Sequence, residues 1–409
     1  GPAAGNLAPA AAGAKGGAPL PGGMSILTKG DADALLELKA AITNMDDLIG
    51  WGFKGWQEGA SPCAGWTGVT CTVSKRVAGL DLSGWAVKGA LPPSMLYLDE
   101  LKTFNASDCD FGGGLPAAWA NWTSIQAIDL SNNAKLGADL PPSWGSGRAL
   151  PNLDRLLLRN TGVTALPDEW PAKGALAKLT VLDLAGNGVR GSLPPSWGSG
   201  GSFPRLRVLN LANNSLGGSL PPEWGWSNAT FPSLSVLDLG RNVLAGPLPK
   251  QWGPGFQALT ELHLQLNKLA GSLPTEWGLP GRFPRLAWLD VYGNKLAGPV
   301  PDTWGRRGSG VPRLTTLSLR PGNARLCEKV PLQLRSAAVT AKAEPLGPAP
   351  LGPCPAPLAK PEPVAAVAAE PGPEAFALSP SGEPVLIEPA APAPAPEDDG
   401  LFDQWLLPD

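Results

Sequence analysis

The sequence predicts an α/β solenoid: a right-handed coil with a parallel β-sheet on its concave face, short 3-10 or turn segments on its convex side, and disulfide caps. The pattern LxxLxLxxNxLxGxLPxxWG recurs, with clear copies starting at Leu179, Leu206, Leu234, Leu259 and Leu286. Successive copies are 24 to 28 residues apart, a spacing typical of stacked repeats. In LxL the leucines alternate, so one side of a short strand points inward. A single repeat cannot bury that side alone, and neighbouring repeats must share one core.

The Asn position of the repeat predicts a side chain that bonds the backbone of the turn after each strand. Its amide offers two donors and an acceptor. Losing one such buried partner is expected to cost about 1–3 kcal/mol. The ten residues assigned to this position are Trp85, Cys109, Asn133, Thr161, Asn187, Asn214, Asn242, Asn267, Asn294 and Gly322.

The LxGxLPxxW portion of the repeat predicts the turn on the convex side. Glycine allows unusual dihedral angles there, and proline fixes φ while removing a donor. Half of the 16 Trp recur at one position of the repeat, and we expect them to pack in the core or on the convex side without forming ligand sites. They are Trp119, Trp144, Trp170, Trp197, Trp224, Trp252, Trp277 and Trp304.

Composition divides the 409-residue chain into four segments, because its 52 Gly and 47 Pro fall partly in the repeats and partly in patternless ends. Residues 1–30 form a low-complexity N-terminal segment, and residues 31–75 form an N-terminal cap that begins with a short amphipathic helix. The solenoid of about ten repeats spans residues 76–335, and an Ala/Pro-rich tail spans residues 336–409.

Charge and residue counts exclude several classes of function. A net charge of -3 gives no basic surface for nucleic acid or anionic lipid. One His and five Cys without metal-site spacing predict neither a metal nor another cofactor. No run of 18 apolar residues occurs, so we expect no transmembrane segment in this chain. The first methionine is Met24, so any signal peptide is expected to have been removed or omitted.

Three sequence features resemble the plant-type leucine-rich-repeat family with an N-terminal cap, which includes receptor-like proteins, receptor-kinase ectodomains and polygalacturonase-inhibiting proteins. They are the cap motifs ALLELK and PCAGWTGVTC, the LxGxLP signature, and the closing element LRPGNARLCEKVP. The LPxxWG variant, with Trp in place of the usual Leu, is similar to algal or protist surface proteins. No kinase motif is present, so the resemblance does not imply kinase activity.

The resemblance implies disulfides Cys63–Cys71 and Cys327–Cys354, with Cys109 left as a buried thiol. The alternative is that all five cysteines are reduced core residues. Disulfides would place the protein outside the cytosol, either secreted or at the cell surface or wall. Four glycosylation sequons and an Ala/Pro tail similar to glycosylated wall proteins point the same way; the sequons begin at Asn105, Asn121, Asn213 and Asn228.

Candidate ligand-binding residues are those that flank the strand leucines and face the concave surface. Most repeats carry few polar or aromatic side chains suited to binding at these positions. Repeats eight to ten concentrate such side chains, which are the types that anchor interfaces. These are Glu261, His263, Gln265, Trp288, Asp290, Tyr292 and Arg320, with a smaller set at Arg155, Leu157 and Arg159. The alternatives are that these side chains are simply solvated, or that Trp288 and Tyr292 pack on each other.

The sequence leaves three interpretations of function open, none of them enzymatic. The first is a binding protein that recognises a protein, peptide or glycan on its concave face. The second is a structural subunit of a larger assembly held through its Pro-rich tails, and the third is a cytosolic or organellar scaffold. A recurrent acidic position could suggest paired catalytic carboxylates, but LDL is part of the repeat itself, so we expect no catalysis from Asp81, Asp129, Asp183, Asp238 and Asp290.

Overall fold

The computed structural model describes residues 30–327 except 138, 172–173 and 307, together with 331, 334 and the backbone of two strands between 376 and 386. Two α-helices open the described part, α1 (Asp31–Ala41) and α2 (Met45–Gly50). Seventeen strands follow up to residue 327: β1 Val69–Cys71, β2 Val77–Asp81, β3 Lys88–Ala90, β4 Thr103–Asn105, β5 Asp110–Gly112, β6 Ala127–Asp129, β7 Arg155–Leu157, β8 Val181–Asp183, β9 Val208–Asn210, β10 Val236–Asp238, β11 Ala245–Gly246, β12 Glu261–His263, β13 Lys268–Gly271, β14 Trp288–Asp290, β15 Lys295–Pro299, β16 Thr316–Ser318 and β17 Arg325–Cys327.

The N-terminal cap closes one end of the sheet. The α1 helix buries Leu35 and Leu38, as its amphipathic pattern predicts. Asp31, at the start of α1, accepts hydrogen bonds from the Arg76 guanidinium at 2.8 and 3.0 Å and from Val77 N at 2.8 Å. The helix is thereby fastened to the first parallel strand. Strand β1 runs antiparallel to β2 and covers the otherwise open sheet edge.

The main sheet has eleven strands in the order β1-β2-β4-β6-β7-β8-β9-β10-β12-β14-β16, and every pairing after β1–β2 is parallel. The middle residue of each strand pairs with its equivalent in the next repeat, as Leu237 does with Leu262 and Leu262 with Leu289. These leucines are fully buried. The predicted parallel sheet with one shared leucine core is confirmed.

Shorter elements form the rest of each repeat. Strands β11, β13, β15 and β17 make a second sheet, and β3 pairs with β5. The LPxxW motif forms a single 3-10 turn in most repeats, and proline precedes or begins it because its φ suits such a turn. The 3-10 helices are Pro62–Ala64, Pro93–Tyr97, Ala117–Asn121, Pro142–Gly145, Pro195–Gly198, Pro222–Gly225, Pro254–Phe256, Thr275–Gly278 and Asp302–Gly305.

The asparagines of the repeat form a ladder that joins neighbouring repeats. Asn267 is typical: its Oδ1 accepts from Leu244 N at 3.0 Å, and its Nδ2 donates to Leu239 O and Leu264 O at 2.9 and 3.1 Å. The predicted role is therefore confirmed. The assignment of Gly322 to the tenth position was wrong by one residue. Asn323 makes these bonds, because an extra residue precedes it in that repeat.

The repeated tryptophans form a second ladder. All eight are buried, which confirms the packing role. Each indole Nε1 donates to the carbonyl of the LP proline in the preceding repeat, as Trp277 does to Pro249 at 2.9 Å. The rings stack nearly parallel in four of the successive pairs, including Trp252 and Trp277, whose centroids lie 6.4 Å apart. Glycine follows six of these eight Trp, and the next repeat presses on it at several of those positions; a Cβ at Gly225 would lie 2.4 Å from the Trp252 backbone.

The chain divides into two compact units, Gly1–Cys354 and Pro355–Asp409. In the second unit, β18 (Phe376–Leu378) pairs antiparallel with β19 (Pro384–Leu386). This hairpin was not predicted from the sequence, in which the region is only an Ala/Pro-rich tail.

Candidate functional site

Adjacent strands β12 and β14 bring together four of the predicted binding residues. Their parallel register places Glu261 beside Trp288, and His263 beside Asp290. We call these four residues the histidine cluster. They alternate with the buried leucines, so their side chains lie on the solvent-facing side of the main sheet.

His263 bridges two carboxylates from different repeats. Its Nδ1 lies 3.0 Å from Asp290 Oδ2, and its Nε2 lies 3.1 Å from Glu261 Oε2. Burial works to lower the pKa of His263, but the two carboxylate partners and the charge of Asp238 outweigh it, and the net pKa is raised. The arrangement favours the imidazolium, which can donate from both ring nitrogens.

Asp238 lies next to the histidine cluster. From the sequence it was expected only to be part of the repeat pattern, without a role in binding. It pairs in register with His263 on the adjacent strand. Burial raises the pKa of its carboxyl. With Asp238, Glu261 and Asp290 around a single His263, carboxylates outnumber the cation in this part of the concave face.

The recurrent acidic position has a structural role in most repeats. Its side-chain oxygen accepts the N–H two residues ahead and closes the turn after the strand, as Asp183 does from Ala185 N at 3.0 Å. The same bond occurs at Asp81, Asn105, Asp129, Asn210 and Asp238. These bonds explain the LDL pattern without any catalytic chemistry.

Asp290 departs from that pattern. It is only 5% exposed, and its Oδ2 contacts His263. Its Oδ1 is buried without a hydrogen bond of ordinary geometry to any described residue. Burial acts to raise the pKa of Asp290, whereas His263 and neighbouring donors lower it, and the net pKa is lowered. The carboxylate therefore stays ionised. It contacts His263, whereas its equivalents in earlier repeats close the turn after their strand.

The aromatic and remaining polar candidates lie around His263 and its carboxylate partners. Trp288 is 38% exposed, and its ring centroid lies 6.0 Å from that of His263. Tyr292, Gln265 and Arg320 occupy one row at the ends of their strands and are half-buried. Among the described ring pairs, the partner of Trp288 is His263.

The second predicted set does not join the histidine cluster. Arg155 and Leu157 lie on β7, four strand positions from β12, which is about 19 Å at the usual strand spacing. Arg159 pairs with Asp183 at 2.8 Å, and this hydrogen bond raises the pKa of its guanidinium. Arg155 is exposed.

The cysteines follow the predicted pattern where the structure describes them. Cys63 and Cys71 form a disulfide. Cys327 also lies in a disulfide, while its predicted partner Cys354 lies outside the described residues. Cys109 is a buried free thiol whose Sγ donates to Leu82 O at 3.3 Å, and burial raises its pKa to about 11.

The four sequons differ in accessibility. Asn121, Asn213 and Asn228 are exposed. Asn105 lies on β4, is half-buried, and accepts a hydrogen bond from Ser107 N through its side chain.

Among the described residues, no group of three His, Cys, Asp or Glu side chains could hold a metal ion. No helix in the described part combines the length and apolar character needed to span a bilayer.

Comparisons with known proteins agree with this architecture. The leucine rich repeat N-terminal domain model matches residues 28–72, and the leucine rich repeat model matches residues 178–199 and 205–226. The LRR receptor-like serine/threonine-protein kinase GSO2 of Arabidopsis thaliana is 32% identical over 120 residues, which are 28% of this chain and 9% of that protein. Phytosulfokine receptor 1 of Arabidopsis thaliana is 33% identical over 93 residues, 22% of this chain and 8% of that protein.

Among solved structures, a plant ice-binding protein has a TM-score of 0.50 at 22% identity, covering 80% of this chain and 98% of that one. That likeness concerns the fold. The cap and the repeats match these family models, and the architecture is that of plant-type, N-terminally capped leucine-rich-repeat proteins. The aligned segments span less than a tenth of the length of the two receptor relatives.

Proposed function

We propose that this protein binds a peptide or protein ligand on its concave face, outside the cell or at its surface, and that the histidine cluster is the centre of the binding site. The observation that carries the proposal is the register of β12 and β14, which gathers Glu261, His263, Trp288 and Asp290 on one stretch of sheet. The relatives named as receptors match in the repeats that build this face, which supports binding in preference to catalysis.

The chemistry of the cluster favours a ligand with a cationic group. Three carboxylates surround one histidine, and Glu261 remains partly exposed. An exposed indole beside these charges can pack against an aliphatic stem or a cation. Trp288 therefore supplies apolar contact area, and the carboxylates supply charge complementarity. A peptide with a Lys, an Arg or a free N-terminus matches both.

Selection from a displayed random peptide library, followed by calorimetry, tests this proposal. Selected peptides are expected to be enriched in Lys and Arg. Trp288→Ala combined with Tyr292→Ala is expected to weaken their binding at least tenfold, because aromatic anchors dominate interface energies. The thermal midpoint should change little, since Trp288 is partly exposed and Tyr292 only half-buried.

Trp51→Ala is the matched control, because Trp51 is 63% exposed but lies in the N-terminal cap. It should leave peptide affinity unchanged. Equal affinity in the Trp288/Tyr292 double variant, or selection of peptides without basic residues, would remove the histidine cluster as the binding site.

Location outside the cytosol is part of the proposal and rests on the Cys63–Cys71 disulfide and the exposed sequons. Mass mapping of native protein is expected to find glycans at Asn121, Asn213 or Asn228 and none at Asn105, whose amide is engaged in its strand. Unglycosylated, fully reduced protein would instead favour the intracellular scaffold. The assembly alternative rests on tail residues outside the described part.

A further inference from the structure

Repeat seven is shorter than its neighbours on the convex side. Leu259 follows Trp252 by seven residues, whereas Leu234 follows Trp224 by ten and Leu286 follows Trp277 by nine. The 3-10 turn of this repeat is also displaced and spans Pro254–Phe256, beyond the LP motif. Loops 226–232 of repeat six and 279–285 of repeat eight therefore lie on either side of the shortened connection of repeat seven. Two strand spacings separate such loops, about 10 Å.

The gap is an open pocket of about 360 Å³, within the range of small-ligand sites. It is lined by Gly225, Trp226, Lys250, Gln251, Pro254, Glu276 and Arg282. A larger cavity of about 680 Å³, of whose lining residues half are prolines and leucines of repeats six to eight, shares Lys250, Gln251 and Glu276 with it. The two cavities therefore lie next to each other, with these three side chains at their shared border.

Close backbone packing holds the walls of this pocket in place. A Cβ at Gly255 would lie 2.3 Å from Trp224 O, so repeat seven presses directly on repeat six. On the other side, Gln257 Nε2 donates to Gly253 O and Gly281 O at 3.1 and 2.9 Å. Arg282 packs on Gly253, where a Cβ would lie 2.7 Å from its side chain. The short repeat therefore fixes the loop that carries Arg282.

The side chains in the pocket are available for a ligand. Trp226 is 64% exposed, although every repeat-position Trp is buried. Neither Lys250 nor Arg282 forms an ion pair or side-chain hydrogen bond with any other described residue. Two cations against one Glu276 leave the pocket positive, in a chain whose net charge is -3. This local sign is opposite to that of the histidine cluster.

We infer that this pocket binds an anionic oligosaccharide, with one sugar ring stacked on Trp226 and its acidic group held by Lys250 and Arg282. The indole face is electron-rich and attracts the C–H face of a sugar ring. An Arg fork and a Lys ammonium bind carboxylate or sulfate oxygens. Gln251 and Glu276 add an amide and an acceptor for ring hydroxyls, which an acidic peptide side chain would not use. The inference concerns a surface separate from the proposed peptide site.

Calorimetry with the full chain tests the inference, using four probes of matched length: oligogalacturonate, a sulfated oligosaccharide, a neutral cello-oligosaccharide and oligoglutamate. Binding of at least one anionic sugar is expected, with none detected for the neutral sugar or for oligoglutamate. The two anionic sugars distinguish a carboxylate from a sulfate site. Raising NaCl from 50 to 300 mM should weaken binding severalfold, because both cations are near the surface.

Trp226→Ala is expected to reduce affinity at least tenfold, with recovery in Trp226→Tyr, which keeps an aromatic face. Lys250→Glu with Arg282→Glu should abolish binding. Arg205→Glu with Arg313→Glu is the matched control, because both arginines are exposed in the same loop type of other repeats. That control and the Trp288/Tyr292 double variant should bind the sugar normally, which separates this result from the peptide proposal.

Three results would overturn the inference: no binding of either anionic sugar, equal binding by Trp226→Ala, or equal binding of oligoglutamate. The last result would indicate a site for acidic peptides. Circular dichroism of each variant establishes that it is folded, since Trp226 and Lys250 are exposed but Arg282 is half-buried against Gly253.

Discussion

Replacement of Asn267 by alanine tests whether the asparagine ladder holds neighbouring repeats together. The side chain spans repeats seven and eight: it accepts from Leu244 N and donates to Leu239 O and Leu264 O. All three bonds are buried. Alanine removes all three bonds, so these backbone groups lose their partners.

The magnitude follows from these bonds. An orphaned buried N–H costs about 1–3 kcal/mol, and carbonyls with a second lone pair cost less. We expect Asn267→Ala to lower the free energy of unfolding by about 2–4 kcal/mol. Asn267→Thr should cost less than alanine, because the native Thr161 at the same position donates from Oγ1 to Leu158 O at 2.8 Å.

Urea unfolding followed by Trp fluorescence measures this series, since buried indoles stack across the repeats concerned. Asn228→Ala is the control, because Asn228 is exposed in a loop. A cost below about 0.5 kcal/mol for Asn267→Ala, or a threonine variant less stable than the alanine variant, would refute the reasoning.

Two further predictions concern pH and redox state. The folded-state pKa of His263 is raised above its ordinary value of 6.5, so its contribution to stability is fully present below that pH and is lost as pH rises through the raised pKa. In urea unfolding between pH 5 and 9, His263→Gln should remove this decline, and an unchanged pH profile would contradict it. Reduction of Cys63–Cys71, or Cys63→Ser with Cys71→Ser, should destabilise the cap by about 2.5 kcal/mol, from the entropy of closing its short loop. Hydrogen exchange should place the loss in the cap, since each repeat contacts only its neighbours; protection lost evenly along the solenoid would contradict it.

The periodic features of this protein were readable from its sequence. The LxL leucines, the Asn position and the spacing of the repeats each act within one repeat or between equivalent positions, so their periodicity carries the information. The Cys63–Cys71 disulfide followed from family resemblance. The one misassigned ladder residue, Gly322 in place of Asn323, arose where an inserted residue broke the period.

Features that depend on contacts between repeats needed the tertiary structure. The sequence placed Glu261, His263 and Asp290 on one surface, but only the parallel register made His263 a bridge between two carboxylates. The bond from each repeat-position Trp to the LP proline of the preceding repeat likewise joins residues 27 to 31 positions apart.

The pocket beside Trp226 has the same origin. Its residues come from three successive repeats, and it exists because one loop is shorter than those on either side. Sequence alone determined that stacked leucine strands would form a solenoid, since one repeat cannot bury its apolar side. The folded structure decided where departures from the repeat meet, because stacking sets residues of neighbouring repeats side by side whatever their distance along the chain.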